Sequence, residues 1–487
     1  MKPNSLPVVV IGAGPVGLAA AAHLAIRNLP YLVLERGLKP ATAMRDWAHV
    51  TIFSPWRFNV DSAARELLED TGWSLAAKDL DRDPTGRELI DRYLEPLAGH
   101  PKIAPFIRYG AEVVAVTRQD MDLLPNDGRA DRPFELVVMS ADGGEIRLRA
   151  RAVIDATGTW STPNPAGANG VLAEGERQCG TRVRYGIPDV RQADRERYAG
   201  KRVLVIGSGH SAMDVILDLS RLKTEVPSTE IVWAMRSTPT AKTFGGADAD
   251  QLASRGALGS RTKALIDQGL VTLVAPFRTN RFAMSDDQII VTGNSGNDER
   301  DERVDEVVVA TGFRPDFAMY SELRLDLDPA VQAPRALAPL IDPNFHSCGS
   351  VPPHGHRELE QPEPDFFMVG MKSYGRAPTF LMATGYEQVR SVVAALAGDL
   401  AAADDVRLVL PETGVCEDVG HTESAGACCA KLGSAGIAPP GLIAVADGCC
   451  GGPAAEDASS CCVADSKAKQ AGKAGCGCGS SSPQVAG

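Results

Sequence analysis

Two glycine runs carry the chemistry that can be read from this chain. Gly12-Ala13-Gly14-Pro15-Val16-Gly17 follows Pro7-Val8-Val9-Val10-Ile11 and precedes an alanine-rich stretch reaching Arg27. Gly207-Ser208-Gly209-His210-Ser211-Ala212 follows Arg202-Val203-Leu204-Val205-Ile206 and precedes a helical pattern reaching Leu222. A β-branched strand, a glycine turn and a helix together aim free N–H groups and a positive dipole at one point, where a diphosphate can sit. The first glycine makes the turn, the second lets the backbone approach the phosphates, and the third position lets helix and strand pack.

The end of the next strand tells the two sites apart. Tyr31 to Leu34 ends in Glu35, whose carboxylate can accept both hydroxyls of an adenosine ribose and would repel a 2′-phosphate. The first site therefore suits FAD or NAD. Glu230 to Met235 ends in Arg236-Ser237, a guanidinium fork and a hydroxyl that suit the 2′-phosphate of NADPH.

Each fold then closes on an Ala-Thr-Gly turn, Ala156-Thr157-Gly158 and Ala310-Thr311-Gly312. Compact turns of this type let a chain cross close to a cofactor. The expected cofactor contacts are Gly12, Gly14, Gly17, Glu35, Thr157 and Gly158 in the first fold. In the second they are Gly207, Gly209, Ser211, Arg236, Ser237, Thr311 and Gly312. Between Arg45 and Asp61 stand Trp47, Phe53, Trp56 and Phe58, either a wall beside a flavin, with Trp56 in contact, or a core cluster. Phe367 to Arg376 precedes a helix expected near Thr379; here Gly370 is a cofactor contact, and Lys372, Tyr374 and Arg376 are pocket candidates. Asp155 and Asp316 read as structural, and no residue stands out as a general base.

Around these motifs the elements repeat. Glu112 to Arg149 alternates as a β-meander with a turn at Asp142-Gly143-Gly144, and a second meander surrounds Gln288 to Val291. The fold class is α/β: two Rossmann-like dinucleotide-binding domains, the NADPH domain inserted in the FAD domain, each with a β-meander. The boundaries are 1–195 and 316–405 for the FAD domain and 196–315 for the NADPH domain. Residues 406–487 form a cysteine-rich tail expected to be disordered.

Composition narrows the function. An apolar fraction of 44% is that of a globular protein, and a net charge of −12 speaks against nucleic acid as a general partner. No apolar run reaches the roughly 20 residues of a membrane span. The expectation is a cytoplasmic enzyme with a small-molecule substrate, homodimerisation being left open. Of the 11 cysteines, Cys179 and Cys348 stand apart and the other nine follow Leu410. Cys428-Cys429, Cys449-Cys450, Cys461-Cys462 and Cys476-Gly477-Cys478, with Cys416, offer adjacent thiolates, which prefer As(III), Cu(I), Hg(II) or Zn(II). The eight paired residues are the candidate ligands. A low-complexity tail without a ligand is the alternative.

Residues 1 to about 400 resemble the flavin-containing monooxygenase-like branch of the two-dinucleotide flavoproteins. The resemblance rests on the two glycine motifs, Pro84-Thr85-Gly86-Arg87-Glu88-Leu89-Ile90-Asp91-Arg92-Tyr93-Leu94, Ala156-Thr157-Gly158 and Ala310-Thr311-Gly312-Phe313-Arg314-Pro315. It implies that NADPH reduces FAD and that oxygen is then used on a soft atom. The chain departs from that branch between Thr159 and Gly200, where the branch's histidine fingerprint is missing and Arg184-Tyr185-Gly186-Ile187-Pro188-Asp189 stands instead. No Cys-x-x-Cys occurs anywhere, which removes the dithiol chemistry of low-molecular-weight thioredoxin reductases. The tail resembles tails of bacterial arsenic-resistance proteins, which implies an arsenical as substrate or cargo. A reductase without oxygenation, or a scaffold whose tail binds or delivers As(III), stays open.

Overall fold

The computed structural model describes residues 6–344, 351–378 and 380–411. The cysteines read as soft-metal ligands, Cys428, Cys429, Cys449, Cys450, Cys461, Cys462, Cys476 and Cys478, lie outside the described residues, as do Cys348 and Cys416.

The chain opens with β1 (Val8–Ile11) and β2 (Tyr31–Glu35), joined by the helix Pro15–Ile26. Both strands are near-continuous apolar runs, the composition of strands covered on two faces. Val8, Val9 and Val10 are fully buried, and burying each such side chain contributes about 1.5–3 kcal/mol relative to exposure. The stretch Pro84–Leu94 forms a helix at Gly86–Leu89 followed by a wider turn to Leu94; a reciprocal Thr85–Glu88 capping box starts it. β3 (Ile107–Tyr109) then adds beside β2, and β4 (Ala111–Arg118), β5 (Phe134–Ser140) and β6 (Glu145–Ala150) make the first meander. β7 (Ala152–Asp155) returns to pair with β1.

β8 (Val183–Tyr185) begins the second sheet, followed by β9 (Arg202–Ile206), the helix His210–Glu225 and β10 (Glu230–Ala234). β11 (Thr272–Val274) follows the helix Ala253–Asp267, and β12 (Arg278–Ser285), β13 (Gln288–Ser295) and β14 (Asp298–Val304) form the second meander. β15 (Glu306–Val309) closes that domain. β16 (Phe366–Met368) pairs with β7 across the whole insertion, and the helix Met382–Leu396 packs on the first helix. The two five-stranded parallel sheets run β16-β7-β1-β2-β3 and β11-β10-β9-β15-β8. This is the expected α/β architecture, one dinucleotide-type domain inserted in another.

Two boundaries move. β8 lies within the span assigned by sequence to the first domain, yet it pairs in parallel with β15 at the edge of the second sheet. A three-residue strand has too little pattern to declare its partner. Residues 406–411, expected to begin the tail, pack on the fold instead. The Arg407 amide donates to Glu387 at 2.7 Å, Leu408 is buried, and Arg255 donates to the Pro411 carbonyl at 3.4 Å. Among the described residues, no helix is long and apolar enough to cross a membrane.

Candidate functional site

Parallel strands bring their carboxyl ends to one edge, where open α/β sheets bind ligands. In the first sheet Ile11 pairs with Leu34 and with Asp155, so Gly12, Glu35 and the Ala156-Thr157-Gly158 turn share that edge. In the second, Ile206 pairs with Ala234 and with Val309, which gathers Gly207, Arg236 and Thr311 in the same way.

Both glycine turns are shaped as the sequence implies. Gly12 has φ +101° and Gly207 φ +141°, backbone that an L side chain rarely adopts, and a Cβ on Gly12 would lie 2.8 Å from the Ala156 carbonyl. A Cβ on Gly17 would collide with the Gly12 carbonyl. Around Gly14 and Gly209, by contrast, an added Cβ would meet nothing within 4 Å. These are the N-caps of the two helices, and neither helix has a side-chain cap. Open space beside uncapped N–H groups is the cradle that a diphosphate fits.

The strand ends are held differently. Glu35 is buried; Ala13 N–H and Gly37 N–H each donate to one carboxylate oxygen at 2.8 Å. Each oxygen keeps a lone pair for a ribose hydroxyl. Arg236 and Ser237 are exposed, and among the described residues Arg236 makes no ion pair. Ser211 is half-buried in the first turn of its helix.

The Ala-Thr-Gly turns meet through their continuations. Asn164 N–H donates to the Gly312 carbonyl at 2.9 Å, Thr311 Oγ1 to the Asn164 carbonyl at 2.8 Å, and Arg314 N–H to the Thr162 carbonyl at 3.0 Å. Trp160 stacks on Phe313 with ring centroids 4.6 Å apart, and Trp47 approaches Trp160 at 6.2 Å. The Trp160 indole N–H donates to Asp46 at 2.9 Å, and Phe53 lies 5.0 Å from the ring of His210. One loop of the first fold thus touches both the linker and the second glycine motif. Trp160, Asp46 and His210 were not singled out in the sequence. The signal available was that an aromatic follows each Ala-Thr-Gly turn, Trp160 after the first and Phe313 after the second.

Other expectations are corrected. Trp56, read as a flavin contact, is fully buried in the first core beneath Arg92, 5.2 Å from its ring, so the core-cluster alternative holds for it. Lys372 is not in a pocket: it is 1% exposed, with its ammonium 2.7 Å from Asp155. Tyr374 is buried as well, and burial pushes its phenol well up. Arg376 is exposed and donates to Gln332 at 2.7 Å. Gly370 does reach the first cradle: a Cβ there would lie 3.1 Å from Val16. Among the described residues Cys179 is a free, buried thiol whose pKa burial pushes up, so it is a poor nucleophile.

Comparison with known proteins agrees with this geometry. The family model for pyridine nucleotide-disulphide oxidoreductases matches residues 9–334. Indole-3-pyruvate monooxygenase YUCCA1 of Oryza sativa subsp. japonica is 31% identical over 215 residues, 44% of this chain and 45% of that protein. Flavin-containing monooxygenase FMO GS-OX5 of Arabidopsis thaliana is 26% identical over 264 residues, 50% of this chain and 51% of that protein. The chain thus spans about half the length of these relatives. The bacillithiol disulfide reductase of Bacillus cereus superposes with TM-score 0.61 at 17% identity, over 81% of this chain and 99% of that one, and shares the fold.

Proposed function

The chain belongs to the pyridine nucleotide-disulphide oxidoreductase family, and from that premise we propose that it is an FAD-dependent NADPH oxidoreductase of the monooxygenase-like kind. Its acceptors are oxygen and a soft-atom substrate, an arsenical among the candidates. The observation that carries this reading is the contrast at the strand ends, Glu35 in one cradle and Arg236 with Ser237 in the other. FAD held in the first cradle would supply hydride-accepting and electron-transfer chemistry.

The chain's own residues bind and orient. Glu35, fixed by two N–H donors, receives the ribose of FAD, and the N-terminus of the helix Pro15–Ile26 receives its diphosphate. Thr157 and Gly370 border that cradle from β7 and from the return segment. Arg236 and Ser237 hold the 2′-phosphate of NADPH, and the helix His210–Glu225 its diphosphate. Trp47, Trp160 and Phe313, each half-buried, pack together where the two folds meet.

Relatives named as monooxygenases support oxygen as an acceptor. The absent Cys-x-x-Cys speaks against a dithiol relay. A second reading, a reductase whose tail binds or delivers As(III) or another soft metal, is favoured by the adjacent cysteine pairs. Anaerobic NADPH added to the FAD-loaded protein is expected to bleach the flavin, and oxygen uptake is expected to rise with arsenite. Bleaching without oxygen uptake selects the reductase; no bleaching at all rejects both readings.

A further inference from the structure

We propose that Lys372 is a positioning residue for the flavin cradle, its buried ammonium fixing the Ala156-Thr157-Gly158 turn from behind. This rests on the assignment of FAD to the first fold.

Three segments far apart in sequence meet at this ammonium. Asp155 Oδ2 lies 2.7 Å from Lys372 Nζ, and Nζ donates to Thr157 Oγ1 at 3.1 Å. The ring centroids of Tyr320 and Phe317, from the stretch after the inserted domain, lie 4.9 Å and 5.7 Å from Nζ. The carboxylate compensates the charge as an ion pair, the Thr157 hydroxyl takes an N–H, and the aromatic faces lie against the cation. The Thr157 amide and hydroxyl both donate to Asp155 Oδ1, at 2.9 Å and 2.7 Å. Thr157 therefore takes a hydrogen bond from Lys372 and passes one to Asp155, which closes a ring of three side chains.

That ring has an outlet. Asp155, Lys372 and Tyr320 are buried, whereas Thr157 is exposed at the rim of the cradle. Ala156, between the two ends of the ring, touches the first glycine: its amide donates to the Ile11 carbonyl at 2.9 Å, and its own carbonyl fills the space beside Gly12. Lys372 stands two residues past Gly370, which packs against Val16 at the start of the first helix. The cation thus ties all three walls of the cradle, namely the glycine turn, the end of β7 and the return segment.

The energetics favour geometry over stability as its role. Burying an ion costs several kcal/mol, and well-packed apolar residues in place of a buried pair are often as stable. What the pair supplies that apolar residues do not is a directed bond to the Thr157 hydroxyl.

The test compares the full-length parent with Lys372→Met/Asp155→Asn, Thr157→Val and the triple variant. The double variant removes both charges together, so neither is left uncompensated. FAD affinity is measured by titrating the apo-protein, with the flavin absorption spectrum and the FAD-induced rise in Tm as further readouts. The double variant is expected to weaken FAD by about tenfold, or about 1.4 kcal/mol. Thr157→Val should weaken it similarly and the triple variant no further, because all three break one ring. A folded double variant that binds FAD within about twofold of the parent, with the parent's spectrum and FAD-induced Tm rise, overturns the proposal. So does a triple variant whose losses multiply. Should the double variant not fold, Lys372→Arg keeps the charge opposite Asp155 while moving the donor off Thr157. It is expected to weaken FAD as Thr157→Val does, and parent-like affinity in both overturns the proposal. A parent that binds no FAD overturns the flavin assignment itself, a separate outcome.

Discussion

The two dinucleotide folds share a plan and differ in how finished their binding edges are. In the first, Glu35 is buried and held by two amide donors, and the Thr157 turn is braced by a buried ion pair. In the second, Arg236 and Ser237 stand exposed, and among the described residues Arg236 makes no ion pair. A preformed edge forgoes the ordering cost of binding, whereas an exposed arginine incurs it each time a ligand arrives. The difference fits a resident cofactor in the first cradle and an exchanging co-substrate in the second.

The third position of each motif gives the hardest test. The helix Pro15–Ile26 lies so close to its turn that Gly17 has no room for a methyl group, while the second fold has a fully buried Ala212 there. Gly17→Ala is expected to destabilise the first fold by about 1–3 kcal/mol, because the obstructing atom is a backbone carbonyl that cannot yield. The purified protein should lack flavin colour. Ala212→Gly should cost at most about 1 kcal/mol and leave the flavin content unchanged. Equal flavin loss from both would end the comparison.

On the proposed assignment of NADPH to the second fold, Arg236→Ala removes charge-assisted hydrogen bonds to the 2′-phosphate worth about 1.5–3 kcal/mol. KM for NADPH should rise by about 10- to 100-fold, with KM for NADH nearly constant and the bound FAD untouched. A parallel rise for both nucleotides would show that Arg236 does not read the 2′-phosphate.

The helices also differ within. Ala19 stands where the second helix has Asp214, seven residues past the opening glycine in both. Burial, with Asp218 adding to it, pushes the Asp214 carboxyl from 3.8 up to about 7. The native state then holds this proton more tightly than the unfolded chain does. Its stability is undiminished below the unfolded value and falls as pH rises from there through about 7. Asp214→Asn should raise Tm by a few degrees at pH 8, roughly 2–4 °C per kcal/mol regained, and leave it unchanged at pH 4. An equal gain at both pH values would locate the effect outside this ionisation.

The smallest expected effect is at the junction. Trp160→Phe keeps the stack on Phe313 and loses the bond to Asp46, costing about 0.5–1 kcal/mol of stability. FAD affinity should stay constant, and a loss there would mean that the junction, rather than the cradle alone, holds the flavin.

Much of this was legible in the chain itself. The β-branched runs, the two glycine turns, the residues ending each second strand and the meanders follow from local pattern, because strand, turn and helix are set by neighbours within a few positions. What required the tertiary structure were partnerships across long separations. Nothing local distinguishes a lysine that lines a pocket from one turned inward; Lys372 is buried because Asp155, at the end of the neighbouring strand, compensates its charge. Trp56 sits in the core because Arg92 and the first helix layer cover it. β8 joined the second sheet because β15 offered it an edge, and Trp160 met Phe313 because the linkers after two distant strands hydrogen-bond to each other. The sequence determined two cradles and the residues, Glu35 and Arg236 with Ser237, that end their second strands. The tertiary structure decided which side chains brace them, because the free energy of a buried charge or ring depends on the partners that the fold brings to it.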